Sequence, residues 1–153
     1  MEDELAPWID KMYIDLNNLH EECSRQPVNY ARLGVLVSHL RAEAKAAKDR
    51  YYGKRAELAI GVRSGKVLFE AGRITDAAIE SFLDAEEGVR AAKQEMIDAE
   101  ERADAAGIVL DAFDQRRTML KAEVDLWVGR YFGEGQMSDA VNMSRVAASR
   151  GKP

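Results

Sequence analysis

Proline is scarce in this sequence of 153 residues, where Pro7, Pro27 and Pro153 are the full set. None falls inside the long periodic stretches, so nothing there removes a helix hydrogen bond or clashes with the preceding turn. Cysteine is scarcer still: Cys23 stands alone. An intramolecular disulfide is excluded, and a reducing cytoplasm is consistent with that. No run approaches the ~18 apolar residues of a membrane span. The acidic N-terminus has no apolar stretch of the kind a secretory signal needs. The expectation is a soluble protein with no membrane contact.

Histidine occurs twice, as His20 and His39, which narrows the chemistry available. Glu21 and Glu22 adjoin His20, but neighbours on a helix point apart. There is no Glu-x-x-His pair of the diiron type. Gly61-x-x-x-Gly65-Lys66 has the wrong spacing for a phosphate-binding loop and no following Ser or Thr. Cys23 lies on an apolar stripe and is expected to be buried filling rather than a nucleophile. Glu86-Glu87 and Glu100-Glu101 read as solvated helix charge. No catalytic residue, metal site or cofactor is implied, and an enzyme built on a helical bundle has no convergent polar site to support it.

What the sequence has in abundance is Ala, Glu, Lys, Leu and Arg, a composition suited to long helices and coiled coils. Leu5, Trp8, Ile9, Met12, Leu16, Leu19 and Cys23 repeat at helical spacing and predict a helix over 5–24. Gln26 precedes a proline and is biased toward extended backbone, so an interruption is expected at 24–27. A second helix is expected over about 28–62, with Tyr30, Leu33, Leu36, Val37, Leu40, Ala44, Ala47, Tyr51, Leu58 and Val62 on its apolar side. Its length would be about 50 Å. The glycines from Gly61 to Gly72 suggest a looser connection, in which Val67, Leu68 and Phe69 are helical or irregular.

Thr75 is suited to cap a third helix, with Asp76 in its first turn. That helix is expected to run over about 75–132, with Ile79, Phe82, Leu83, Val89, Met96, Ile97, Ala103, Leu110, Phe113, Leu120, Val124, Trp127 and Tyr131 along one side. A kink near Gly88 or Gly107 would shorten it. So long an apolar stripe needs another helix to cover it, from this chain or a neighbour. Gly133-Glu-Gly135 closes the pattern. Residues 1–132 thus form one helical domain, followed by a flexible tail over 133–153.

Charge is unevenly spread. Residues 1–24 carry net −6, residues 25–73 carry eleven basic and four acidic residues for net +7, and residues 74–153 carry net −6. An overall charge of −5 excludes a general basic coat but permits one local anion site. Within the basic segment, Arg41, Lys45, Lys48, Tyr52 and Arg55 are spaced 4, 3, 4 and 3, one side of a helix. Arg50 and Lys54 lie on an adjoining side. Such a stripe can follow a phosphate backbone, and Tyr51 and Tyr52 offer planes for stacked bases. The plainer alternative is a solvated basic face, with Tyr51 in the core. No helix-turn-helix, zinc-finger or aromatic RNA-binding motif accompanies the stripe, so any binding is expected to be independent of sequence and sensitive to salt. Trp127, Val128, Tyr131 and Phe132 make an aromatic helix end, either a core end or a subunit contact.

Taken in order, these pieces resemble the phage recombination mediators of the UvsY type. Ile14-Asp15, Leu19, Glu22 and Tyr30 precede a basic helix ending in Tyr51-Tyr52. On the long helix come Phe82-Leu83, Ala85 and Val89, then Gly107-Ile108, Leu110-Asp111 and Phe113. The resemblance spans about residues 8–125 and rests on the order of the pieces. The interval from Leu83 to Gly107 is longer by about a heptad, an insertion that preserves a helical face.

The resemblance implies an all-α protein of long helices with coiled-coil-like packing, assembled into a ring-shaped homo-oligomer. It implies a protein of DNA recombination, repair and replication without a catalytic site, working in the host cytoplasm if phage-encoded. Its partners would be single-stranded DNA, single-strand-binding protein and a RecA-like recombinase that it helps to load. The DNA contacts would be Arg41, Lys45, Lys48, Arg50, Tyr52, Lys54 and Arg55. Phe113, Leu120, Val124, Trp127 and Tyr131 are the expected oligomer interface. The competing expectation is a structural or adaptor coiled-coil protein, such as a phage assembly or inhibitor protein, whose basic face meets an acidic protein.

Overall fold

The computed structural model of the protein describes residues 2–67 and 75–150, with side chains described for 4–67 and 75–130. Helix α1 spans Glu2–Asp10 and a short 3-10 turn spans Leu16–Asn18. Helix α2 spans Leu19–Arg63, α3 spans Asp76–Ala85 and α4 spans Glu87–Arg150. Among the described residues there is no strand, so the fold is all-α.

Helices α2 and α4 pack antiparallel along most of α2. Gln26 meets Phe113, Lys48 meets Glu100, and Tyr51 packs with Val89 and Ala92. The seam on α2 consists of Leu33, Val37, Leu40, Ala44, Ala47 and Tyr51, and on α4 of Val89, Ala92, Ala99, Ala103, Ala106, Val109 and Phe113. Most of these recur at alternating steps of three and four, the spacing that keeps an apolar seam facing a partner helix. Alanine at the middle of both helices presents little bulk between the two backbones. At the far end Val62, Ile79 and Leu83 close a second small core beneath α3.

The helix boundaries differ from the sequence pattern in instructive ways. The interruption expected at 24–27 lies at 11–15 instead, and α2 runs through Pro27. Gln26, expected to be extended, is helical and only 5 % exposed. Its amide donates to the Phe113 carbonyl at 2.7 Å, and tertiary anchoring of that kind offsets the roughly 3 kcal/mol cost of an interior proline. With the break moved, the stripe over 5–23 is split between α1, the 3-10 turn and the start of α2. Cys23 is exposed as a result, not buried filling.

The expected long helix is divided at Glu86, two residues before Gly88. Glu86 has extended backbone, and its carboxylate accepts from the Val89 amide at 2.7 Å, capping α4. Thr75 caps α3 by accepting from the Ala78 amide at 3.3 Å. Beyond Gly133-Glu-Gly135 the helix continues to Arg150. Leu68 and Phe69 lie outside the described residues.

Helix α2 stops in a Schellman motif. Gly65 takes φ +70°, its amide bonds the Val62 carbonyl at 3.2 Å, and the Lys66 amide bonds the Gly61 carbonyl at 3.0 Å.

Candidate nucleic-acid interface

On α2, Arg41, Lys45, Lys48 and Tyr52 each follow a buried seam residue: Leu40, Ala44, Ala47 and Tyr51. The basic row is therefore one flank of the α2–α4 seam. A residue so placed can either face solvent or reach across to the partner helix.

Arg41 and Lys45 are exposed and have no ion pair among the described residues. Arg41 lies over α4 beside Gly107, its guanidinium 3.5 Å from where a Cβ there would sit. Lys48 approaches Glu100 at 3.6 Å, with both side chains about half exposed. Tyr52 is 55 % exposed, its ring 5.0 Å from that of Tyr51. Tyr51 itself is in the core, 8 % exposed.

Arg55 is the most engaged of the row. It donates to Asp84 at 2.7 Å, to Glu80, and to the Tyr51 hydroxyl at 3.3 Å. The bond from Arg55 holds the Asp84 carboxyl below its usual range. The same carboxylates, Asp84 first and then Glu80, raise the Arg55 pKa further above an already high value.

Arg50 lies on the opposite flank, in a shallow hollow between α2 and α4 that also contains Glu43, Glu95, Asp98 and Arg102. Lys54 extends toward the start of α4, with its ammonium 2.6 Å from a Cβ position built at Gly88. The structure thus brings Arg41, Lys45, Lys48, Tyr52 and Arg55 onto one flank, sets Arg50 apart, and ties Arg55 to α3.

Of the residues expected at an oligomer interface, Phe113 is fully buried within the chain and meets Trp8 edge-on, ring centroids 6.1 Å apart. Leu120 is also buried, Val124 is half-buried and Trp127 is 61 % exposed. The Tyr131 side chain lies outside the described residues. Val124 lines two adjoining grooves, one with Tyr30, Pro27 and Leu120, the other with Leu16, Leu19 and Trp127.

One polar centre was not foreseen. Arg116, 5 % exposed, donates to Gln26 at 2.6 Å, to the Met12 carbonyl at 3.3 Å, to the Tyr13 carbonyl at 3.1 Å, and to Glu22. It ties the chain between α1 and α2 to the long hairpin. The signal was present in the sequence, since Val109, Phe113, Arg116 and Leu120 share helical spacing and place an arginine in an apolar row. Among the described residues no group of His, Cys, Asp or Glu is arranged to hold a metal ion. No described helix is long and apolar enough to cross a membrane.

The arrangement defines a class: a long antiparallel helical hairpin with a short helix packed at each end. No protein-family profile matches the chain, and no curated protein matches it in sequence. A solved structure does share the fold. It is the crystal structure of the bacteriophage T4 recombination mediator protein UvsY, with TM-score 0.71 and 18 % identity, over 85 % of this chain and 98 % of that one.

Proposed function

We propose that this chain is a non-enzymatic recombination mediator. It binds single-stranded DNA along the basic flank of α2 and helps load a RecA-like recombinase in place of single-strand-binding protein. The observation that supports this most is the shared fold with the T4 mediator, read together with the exposed Arg41 and Lys45 on that flank, which have no ion pair among the described residues. Lys48 and Tyr52 extend the track, the tyrosine as a stacking plane. Lys54 and Arg55 would extend it toward α3, while Arg50, on the opposite flank, would contribute only to the general field. Self-assembly through the α4 surface near Val124 and Trp127, with Tyr131 beyond them, would repeat a weak site and raise avidity without new contacts.

The test is a titration of labelled oligothymidylate at two salt concentrations. Binding should weaken as salt rises, because phosphate contacts release counterions. Arg41→Glu with Lys45→Glu should weaken binding at least tenfold while helicity and assembly state stay unchanged. An assembled wild-type protein that ignores the oligonucleotide at low salt would sink this reading. It would favour an adaptor whose basic face meets an acidic protein.

A further inference from the structure

The C-terminal half of the basic flank is covered by an acidic helix. Asp76, Glu80 and Asp84 follow one another at four-residue steps on α3, so they lie on one side about 6 Å apart along its axis. All three meet arginines of α2: Arg63 bonds Asp76 at 2.9 Å, and Arg55 bonds Asp84 at 2.7 Å and Glu80. Three carboxylates face two guanidiniums, so the patch is net negative where the row of cations would otherwise continue.

These pairs are not what docks the helix. Ile79 and Leu83 are buried with Val62, and Leu58, Ala59, Val67 and Phe82 pack around them. Exposed ion pairs add little to stability, and Asp76, Glu80 and Asp84 are all more than half exposed. Their clearer effect is on Arg55, whose side chain retains 21 % exposure, whereas Arg63 is paired but stays 58 % exposed. Arg41 and Lys45, on the same flank beyond the reach of α3, have no carboxylate partner among the described residues.

We propose that α3 is an internal mimic of a phosphate backbone, whose three carboxylates compete with single-stranded DNA for Arg55 and Arg63. The inference rests on the DNA-binding reading above and deepens it. The basic flank has an open end, where Arg41 and Lys45 have no carboxylate partner among the described residues, and a carboxylate-paired end at Arg55 and Arg63. A phosphate chain entering at the open end displaces the carboxylates one at a time, while the apolar contacts of Ile79 and Leu83 keep α3 in place.

The experiment neutralises the mask in the full chain with Asp76→Asn, Glu80→Gln and Asp84→Asn. A control makes the same charge change elsewhere, at the exposed Glu101→Gln, Asp104→Asn and Asp111→Asn of α4. Affinity for oligothymidylate is read over a salt series, with helicity and melting recorded for each protein. The mask variant should bind about tenfold tighter at low salt, and its log–log salt slope should steepen by roughly one to two, as two more cations join the contact. The control should gain much less and keep the wild-type slope. Equal gains in both, or no gain in a folded mask variant, overturn the proposal. If the triple variant does not fold, Asp84→Asn alone should give a smaller gain of the same sign, and its absence is equally decisive. Wild-type binding with an unresponsive mask variant defeats this inference alone, whereas no binding by any variant defeats the parent reading as well.

Discussion

Arg116 shows how much one side chain can organise. Its guanidinium satisfies two backbone carbonyls, one amide oxygen and one carboxylate in a nearly dry site. Arg116→Ala leaves the buried Gln26 oxygen and Glu22 without their partner, so it should cost about 3 kcal/mol or more, measured by urea denaturation. Asp84 is a gentler case. Its pKa is held down in the folded protein, so its contribution is present above the ordinary carboxylate range and fades as pH falls through the lowered value. The Arg55–Asp84 pair should therefore hold through the ordinary carboxylate range and weaken only as pH falls below it. Carboxyl titration by NMR checks this: Arg55→Gln should move the Asp84 midpoint upward. Alkaline pH should not release the pair, because Arg55 is shifted further upward.

At the scale of the helix, the apolar periodicity made the long elements legible, and capping chemistry made Thr75 legible. The ends were less so. Pro27 marks a probable boundary by local preference, yet Gln26 beside it is held helical by Phe113 and Arg116, which lie 87 and 90 residues away in sequence. No local rule contains that contact. The division at Glu86 was half visible: Gly88 hinted at a kink, but the capping carboxylate is a glutamate of ordinary appearance. The charges were visible as a stripe but not as pairs, because Glu80, Asp84 and Glu100 come from other helices. The Schellman end of α2 makes its own prediction. Gly65 sits at φ +70°, where a Cβ costs roughly 1–2 kcal/mol. Gly65→Ala should lower the unfolding free energy from urea denaturation by that amount and leave the oligonucleotide titration unchanged.

For the whole molecule, the seam of α4 and its proposed assembly surface can be tested separately. Phe113→Ala empties a fully buried site against Trp8 and should cost about 3–5 kcal/mol, seen as a lower melting temperature. Trp127→Ala removes a largely exposed ring, so it should change the mass by light scattering and cost the protomer less than Phe113→Ala. If both variants lose stability alike and the mass is unchanged, Trp127 is not part of an assembly surface.

The antiparallel hairpin also predicts an order of events in time. Arg55 and Asp84, near the closed end, are 29 residues apart in sequence, whereas Gln26 and Phe113, toward the open end, are separated by 87. Once the closed end has formed, each further pair of turns adds only a small loop-closure cost. The chain can fold as a zipper, starting beside α3 and finishing at Arg116. On that path the acidic helix would belong to the nucleus and the buried arginine would be the clasp that fastens last.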